Sequence, residues 1–122
     1  MTAATRVAVF CDVHGNLPAL EAVLTAFDAA GPFDCIVAAG DYCLNGPQPA
    51  ECLDRVVERA TVVLKGNTDR DIVDHGASDP DLGEKKRATI AWTREQLGDE
   101  RLDTLDTLDF DFRVSAPDGS TI

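Results

Sequence analysis

No apolar run in this sequence approaches the roughly 20 residues that a membrane-spanning helix needs, so no membrane partner is expected. Residues 1–6 lack a basic region followed by a long apolar core and a small-residue cleavage site, which argues against a secretory signal and for a cytoplasmic protein. Basic residues are scarce: 11 Lys and Arg stand against 22 Asp and Glu, a formal charge of −11. Nucleic-acid affinity rests on cations neutralising phosphates, so a nucleic-acid polymer is not an expected partner. A small phosphate ester is compatible with this charge where bound cations supply the local positive field. There is no Cys-x-x-Cys; Cys11, Cys35, Cys43 and Cys52 are spaced irregularly and read as reduced thiols. There is also no Gly-x-Gly-x-x-Gly and no P-loop Gly-Lys-Ser/Thr, so a nucleotide-binding α/β domain would lack its phosphate cradle. Histidine is limited to His14 and His75.

What is present is enough for one core and not for two domains: the chain has 122 residues. Its organising stretch is Cys11-Asp12-Val13-His14-Gly15-Asn16, where the apolar run Val7–Phe10 ends in a carboxylate, an imidazole and a turn. In an extended backbone residues two apart share a side, which would aim Asp12 and His14 into one pocket as a chelating pair. Asn16 is the expected N-cap, and Pro18 suits the first turn of a helix at Leu17–Ala30 whose Leu17, Leu20, Val23, Leu24 and Phe27 share a face. Gly31-Pro32 stops that helix. The continuous apolar run 35–39 reads as a parallel strand covered on both faces, ending in Gly40-Asp41.

The pattern then repeats. A loop with Gly46-Pro47 leads to a helix with Cys52, Leu53, Val56, Val57 and Ala60 in a stripe, and the strand 61–64 ends in Lys65-Gly66-Asn67. Strands alternating with helices imply right-handed βαβ units, hence an α/β fold with a parallel sheet flanked by helices. The acidic stretch 68–83 reads as a mobile surface segment, followed by a helix at 84–97, a stop at Gly98 and a short helix capped by Asp99. Residues 110–115 alternate as a strand does, and Ala116-Pro117-Asp118-Gly119 is the turn of a hairpin that is incomplete at Ile122.

Three successive strand ends bring Asp12, His14, Asp41 and Asn67 toward one crevice, where ligands of open parallel sheets bind. The mixed oxygen and nitrogen donors suit manganese, iron or zinc better than a lone calcium, and Asp41, with two oxygens, can bridge two cations. Arg70 is a candidate contact for a substrate phosphate, and His75 reads as a solvated surface histidine. A receiver-like phosphoacceptor using Asp12, Asp41 and Lys65 would leave His14 and the Gly-Asn pair unexplained.

The ordered motifs Asp12-Val13-His14, Gly40-Asp41 and Gly66-Asn67-Thr68-Asp69 resemble those of the calcineurin-like metallophosphoesterases, and the Ala91-Trp92-Thr93 helix and closing hairpin are similar to the bacterial phosphodiesterase-type branch. The resemblance implies Asp12 and His14 on one metal, Asp41 as the bridge, Asn67 on the second metal, and Asp41 and Asn67 at the reacting phosphate. It implies phosphodiester or phosphomonoester hydrolysis in which two cations clamp the phosphate and activate a bridging water. Thr68 stands where many members carry a histidine, and threonine is no general acid at neutral pH. The family completes its site with later histidines that this chain does not contain. The chain thus reads as the N-terminal half of an α-β-β-α sandwich domain, holding one metal or none by itself. That reading leaves room for a complementing C-terminal half or a homo-oligomer, and for the alternative of a non-catalytic remnant or regulatory module that binds at most one metal.

Overall fold

Short β-branched runs satisfy their backbone polar groups by pairing, and connections of roughly a dozen or more residues that form amphipathic helices let neighbouring runs pair in parallel, with each crossover covering one face of the sheet. The computed structural model describes residues 2–3, 6–74 and 81–121. It opens with strands β1 (Thr2–Ala3) and β2 (Val7–Phe10), then helix α1 (Leu17–Ala30), strand β3 (Cys35–Ala38), helix α2 (Pro49–Arg59) and strand β4 (Val62–Val63). Strands β2, β3 and β4 form a parallel sheet in that order, with Phe10 opposite Ala38 and Ala38 opposite Val63. The fold is α/β, as the alternation of runs requires.

The period of two sorts the sheet into unlike faces. Phe10, Ile36, Ala38 and Val63 lie in the core with Leu20 and Leu24 of α1 and Cys52, Leu53 and Val56 of α2. Val7, Val9 and Val37 point the other way into a shallow hollow of about 160 Å³ shared with Phe112 and Val114. The central strand β3 is covered on both faces as its continuous apolar run implies, with Cys35, Val37 and Ala38 all buried, whereas Val9 on the neighbouring β2 is 60% exposed.

Helix α1 has the expected bounds because the Asn16 side-chain oxygen accepts the Ala19 N–H at 3.1 Å and Pro18 needs no partner in the first turn. Residues 68–74, the first part of the stretch read as a mobile surface segment, are helical. They belong to helix α3 (Asn67–Asp74), whose Asp69 and Ile72 turn inward and are buried. Residues 75–80, His75 among them, lie outside the described residues. Helix α4 (Glu84–Asp106) is interrupted at Gly98, where φ of +75° breaks the helical path as the stop signal implied. Strand β5 (Val114–Ser115) is shorter than the 110–115 expected, and it pairs in parallel with β1. The turn after it does form: the Gly119 N–H donates to Ala116 O at 3.0 Å, and Ser115 bridges Thr121 in antiparallel fashion. No helix among the described residues is long and apolar enough to cross a membrane.

Arg101 of α4 forks onto Asp54 of α2, with nitrogen to oxygen distances of 2.9 and 2.7 Å. The guanidinium hydrogen bond holds the Asp54 carboxyl below its ordinary value of 3.8. A carboxyl lowered on folding contributes stability that is present above its unfolded value and is lost as pH falls through the folded one. Asp54→Asn is therefore expected to cost roughly 0.5 kcal/mol at neutral pH, given the solvent screening of this half-exposed pair, and nothing at pH about 2. Urea unfolding at the two pH values checks it.

Candidate metal centre

The pairing of β2 with β3 continues past both strands. Ala39 N–H donates to Phe10 O at 2.8 Å, His14 N–H to Asp41 O at 2.9 Å and Gly15 N–H to Tyr42 O at 2.8 Å, so the two strand-end loops are joined backbone to backbone. One oxygen of Asp12, one ring nitrogen of His14 and one oxygen of Asp41 consequently lie within 4.8 Å of one another. The reason differs from strand alternation. Asp12, His14 and Asp41 all have left-handed backbones, with φ of +61°, +48° and +63°, so tight turns aim the three side chains. That conformation costs a non-glycine residue roughly 1 kcal/mol or more, and such strain gathers at functional positions.

The surrounding bonds orient the donors. His14 Nδ1 is 3.0 Å from Leu44 O, and because a carbonyl only accepts, Nδ1 carries the proton and the Nε2 lone pair is left for a cation. Asp41 Oδ1 accepts the Thr68 hydroxyl at 2.7 Å and the Thr68 N–H at 3.1 Å, which fixes the carboxylate plane and leaves Oδ2 unencumbered by these bonds. Asn67 is exposed at the first position of α3, and both of its neighbours touch Asp41: a side chain at Gly66 would meet Asp41 Oδ1 at 2.3 Å. The structure thus brings together Asp12, His14 and Asp41, and Asn67 stands in the chain between the two residues that touch Asp41. Arg70 is exposed on α3, with its backbone N–H bonded to Gly66 O at 3.1 Å. The Lys65 ammonium donates to Asp106 O at 2.9 Å and lies over the Phe110 ring, so it is committed elsewhere and a receiver-like arrangement is disfavoured.

Asp69 closes the third motif, but the sequence assigns it no role in the site. It is fully buried, and its Oδ2 accepts the N–H groups of Asp41 at 2.7 Å and Gly66 at 2.8 Å while Oδ1 accepts that of Tyr42 at 3.1 Å. Burial raises its carboxyl above the ordinary range, against the pull of those three donors. One local signal exists: an acid three residues after the residue preceding a helix can reach back to that residue's N–H, as one half of a capping box does. Tyr42 is also buried, and its hydroxyl accepts the Gly40 N–H at 3.0 Å while lying 2.8 Å from Ala38 O and 2.6 Å from Leu64 O. Together Asp69 and Tyr42 tie the ends of β3 and β4 into one frame. A hollow of about 510 Å³ opens beside Asp12 and His14, walled by Asn16, Asn45 and Pro47.

The calcineurin-like phosphoesterase profile matches residues 5–118. Over 105 residues, 85% of this chain, the sequence is 33% identical to an uncharacterized protein of Methanocaldococcus jannaschii, of which the match covers 42%. The crystal structure of a metallophosphoesterase from Sphaerobacter thermophilus aligns with a TM-score of 0.66 at 35% identity, over 90% of this chain and 43% of that one. A hypothetical protein from Pyrococcus horikoshii is alike in fold, with a TM-score of 0.72 at 22% identity over 93% of this chain and 51% of the other. The chain spans about half the length of these proteins, or less. With the profile extending over nearly all of its residues, the chain belongs to the calcineurin-like phosphoesterase family.

Proposed function

We propose that this chain supplies the first ligands of a divalent-metal centre that hydrolyses small phosphoesters, with Asp12 and His14 on one cation, Asp41 shared, and the amide oxygen of Asn67 on a second. The observation that carries the reading is the convergence of Asp12, His14 and Asp41 within 4.8 Å at joined strand ends. Two carboxylates and a neutral imidazole make a donor set suited to manganese, iron or zinc. Cations bound there supply Lewis acidity toward a phosphoryl oxygen and toward water.

The chain's own residues do the positioning. Leu44 O sets the His14 tautomer, and the Thr68 hydroxyl sets Asp41. Because that hydroxyl is spent on Asp41 and stays protonated at neutral pH, residue 68 orients a ligand and does not move a proton to the leaving group. Arg70 and Asn67 stand on the turn of α3 nearest Asp41 as candidate phosphate contacts. This chain holds one cation by itself, and the second waits on donors that its two histidines do not provide.

Manganese titration followed by electron paramagnetic resonance tests the reading. One Mn²⁺ per chain is expected, and no bound Mn²⁺ overturns the proposal. Thr68→Ala is expected to weaken binding roughly tenfold, and Asp12→Asn or Asp41→Asn to weaken it beyond the roughly 100-fold that outer partners reach. Mn²⁺ at about a hundredfold over its dissociation constant is expected to add about 2.7 kcal/mol of stability by mass action, and a chelator to remove it. Turnover of bis(p-nitrophenyl) phosphate with Mn²⁺, by this chain or by the chain joined to a complementing half, separates a hydrolase from a module that binds metal without catalysis.

A further inference from the structure

The hollow beside Asp12 and His14 continues beyond Pro47. Asn45, Gly46 and Pro47 form a ridge, and the same three residues wall a second hollow of about 380 Å³ whose far side is Lys85, Thr89 and Trp92 of α4. The ridge is rigidly placed, because the Gly46 backbone packs on the His14 carbonyl without room for a side chain, and the Gln48 N–H donates to Gly15 O at 3.0 Å. The second hollow therefore sits at a fixed offset from Asp12 and His14.

Its lining is chemically specific. Trp92 is 41% exposed, an indole left partly open to solvent although burying it would be favourable. The Thr89 and Thr93 hydroxyls are bonded to carbonyls of their own helix, Lys85 O at 2.9 Å and Thr89 O at 2.8 Å, so polar recognition falls to Lys85 and Asn45. Lys85, Lys86 and Arg87 stand in succession just after Glu84 in the first turn of α4, where the positive helix end disfavours cations. Lys86 is answered by Asp71 at 3.4 Å, while Lys85 lines the hollow. In a chain of charge −11, three adjacent cations at the wrong end of a helix offend a local rule, and such departures mark function.

We propose that the hollow lined by Trp92, Lys85 and Thr89 is a subsite of the metal centre that takes the planar base and an outlying phosphate of a nucleoside phosphate, with the ridge at 45–47 lying between base and scissile phosphorus. This rests on the metal-centre reading above for which phosphate is cleaved, although binding in the subsite needs no metal. Indole and base stack face to face, and the Lys85 ammonium meets the anion.

Trp92 is the only tryptophan in the sequence, so its emission reports occupancy directly. The intact chain, without added metal, is titrated with adenosine 5′-monophosphate, ribose 5-phosphate and adenosine by fluorescence and by calorimetry. Adenosine monophosphate is expected to quench the emission saturably and to bind roughly tenfold more tightly than ribose 5-phosphate, the difference being the stacked base. Lys85→Glu is expected to weaken the nucleotide roughly fivefold and to leave adenosine unchanged. Trp92→Leu is expected to erase the advantage of the nucleotide over ribose 5-phosphate in calorimetry. Equal binding of nucleotide and ribose 5-phosphate, an emission that no ligand alters, or a nucleotide affinity indifferent to Lys85→Glu would each overturn the subsite. The two readings fail separately. Bound Mn²⁺ without base discrimination removes the subsite alone, and base discrimination without bound Mn²⁺ removes the metal centre alone.

Discussion

Gly46→Ala is expected to destabilise the chain by about 3 kcal/mol or more and to lower its melting temperature by roughly 12 °C. The cause is backbone contact. A side chain built on Gly46 meets the His14 carbonyl oxygen at 1.8 Å and the Gly15 α-carbon at 2.6 Å, and neither can rotate away as a flexible side chain would. Relief requires the loop 45–48 to lift off the turn 13–16, which breaks the Gln48 to Gly15 bond and loosens the His14 backbone. Mn²⁺ affinity should fall together with stability. Gly83→Ala is the control: a side chain there meets nothing within 4 Å, and a loss of roughly 0.5–1 kcal/mol is expected from the poorer N-cap. Circular-dichroism melts of the two variants decide the matter, and equal melting temperatures would contradict the contact described.

Asp69→Ala is expected to cost about 4 kcal/mol, because the N–H groups of Asp41, Tyr42 and Gly66 lose their acceptor at once and each buried, unanswered donor costs roughly 1–3 kcal/mol. Asp69→Asn is the more informative variant. Its amide has a single acceptor oxygen, which can keep the Asp41 and Gly66 bonds only by turning its NH₂ toward the Tyr42 N–H. About half the loss is expected, roughly 2 kcal/mol by urea unfolding. Both substitutions leave Asp12, His14 and Thr68 in place, yet both should weaken Mn²⁺ binding, because the Asp69 bonds fix the Asp41 backbone relative to Gly66. A stability loss with unchanged metal affinity would make Asp69 a matter of folding alone.

The bounds of α1 and the break at Gly98 were legible because each has a local chemical cause, an Asn16 cap and a left-handed glycine. The three parallel strands followed from apolar runs spaced by crossover helices. Strand β1 was not legible, since its partner β5 lies more than a hundred residues away and two residues carry no period of their own. Helix α3 was misread for an instructive reason: acidity marks a solvated surface on average, but Asp69 is turned inward by three backbone donors that composition cannot display. Of the four residues expected to converge, Asp12, His14 and Asp41 come together, by a geometry the sequence did not display. Alternation along a strand would aim residues 12 and 14 alike, whereas the chain achieves the convergence with left-handed turns. Thr68 likewise shows in sequence only as a departure from the family motif, and its bond to Asp41 is visible only once α3 is docked.

The left-handed backbone at Asp12, His14 and Asp41 also bears on protein engineering. Glycine would relax each of these positions, so a search for thermostable variants blind to ligand chemistry would be drawn to the three side chains that the proposed chelation uses. Hardening this chain for use therefore belongs on the far helices, with the strand-end turns left frustrated.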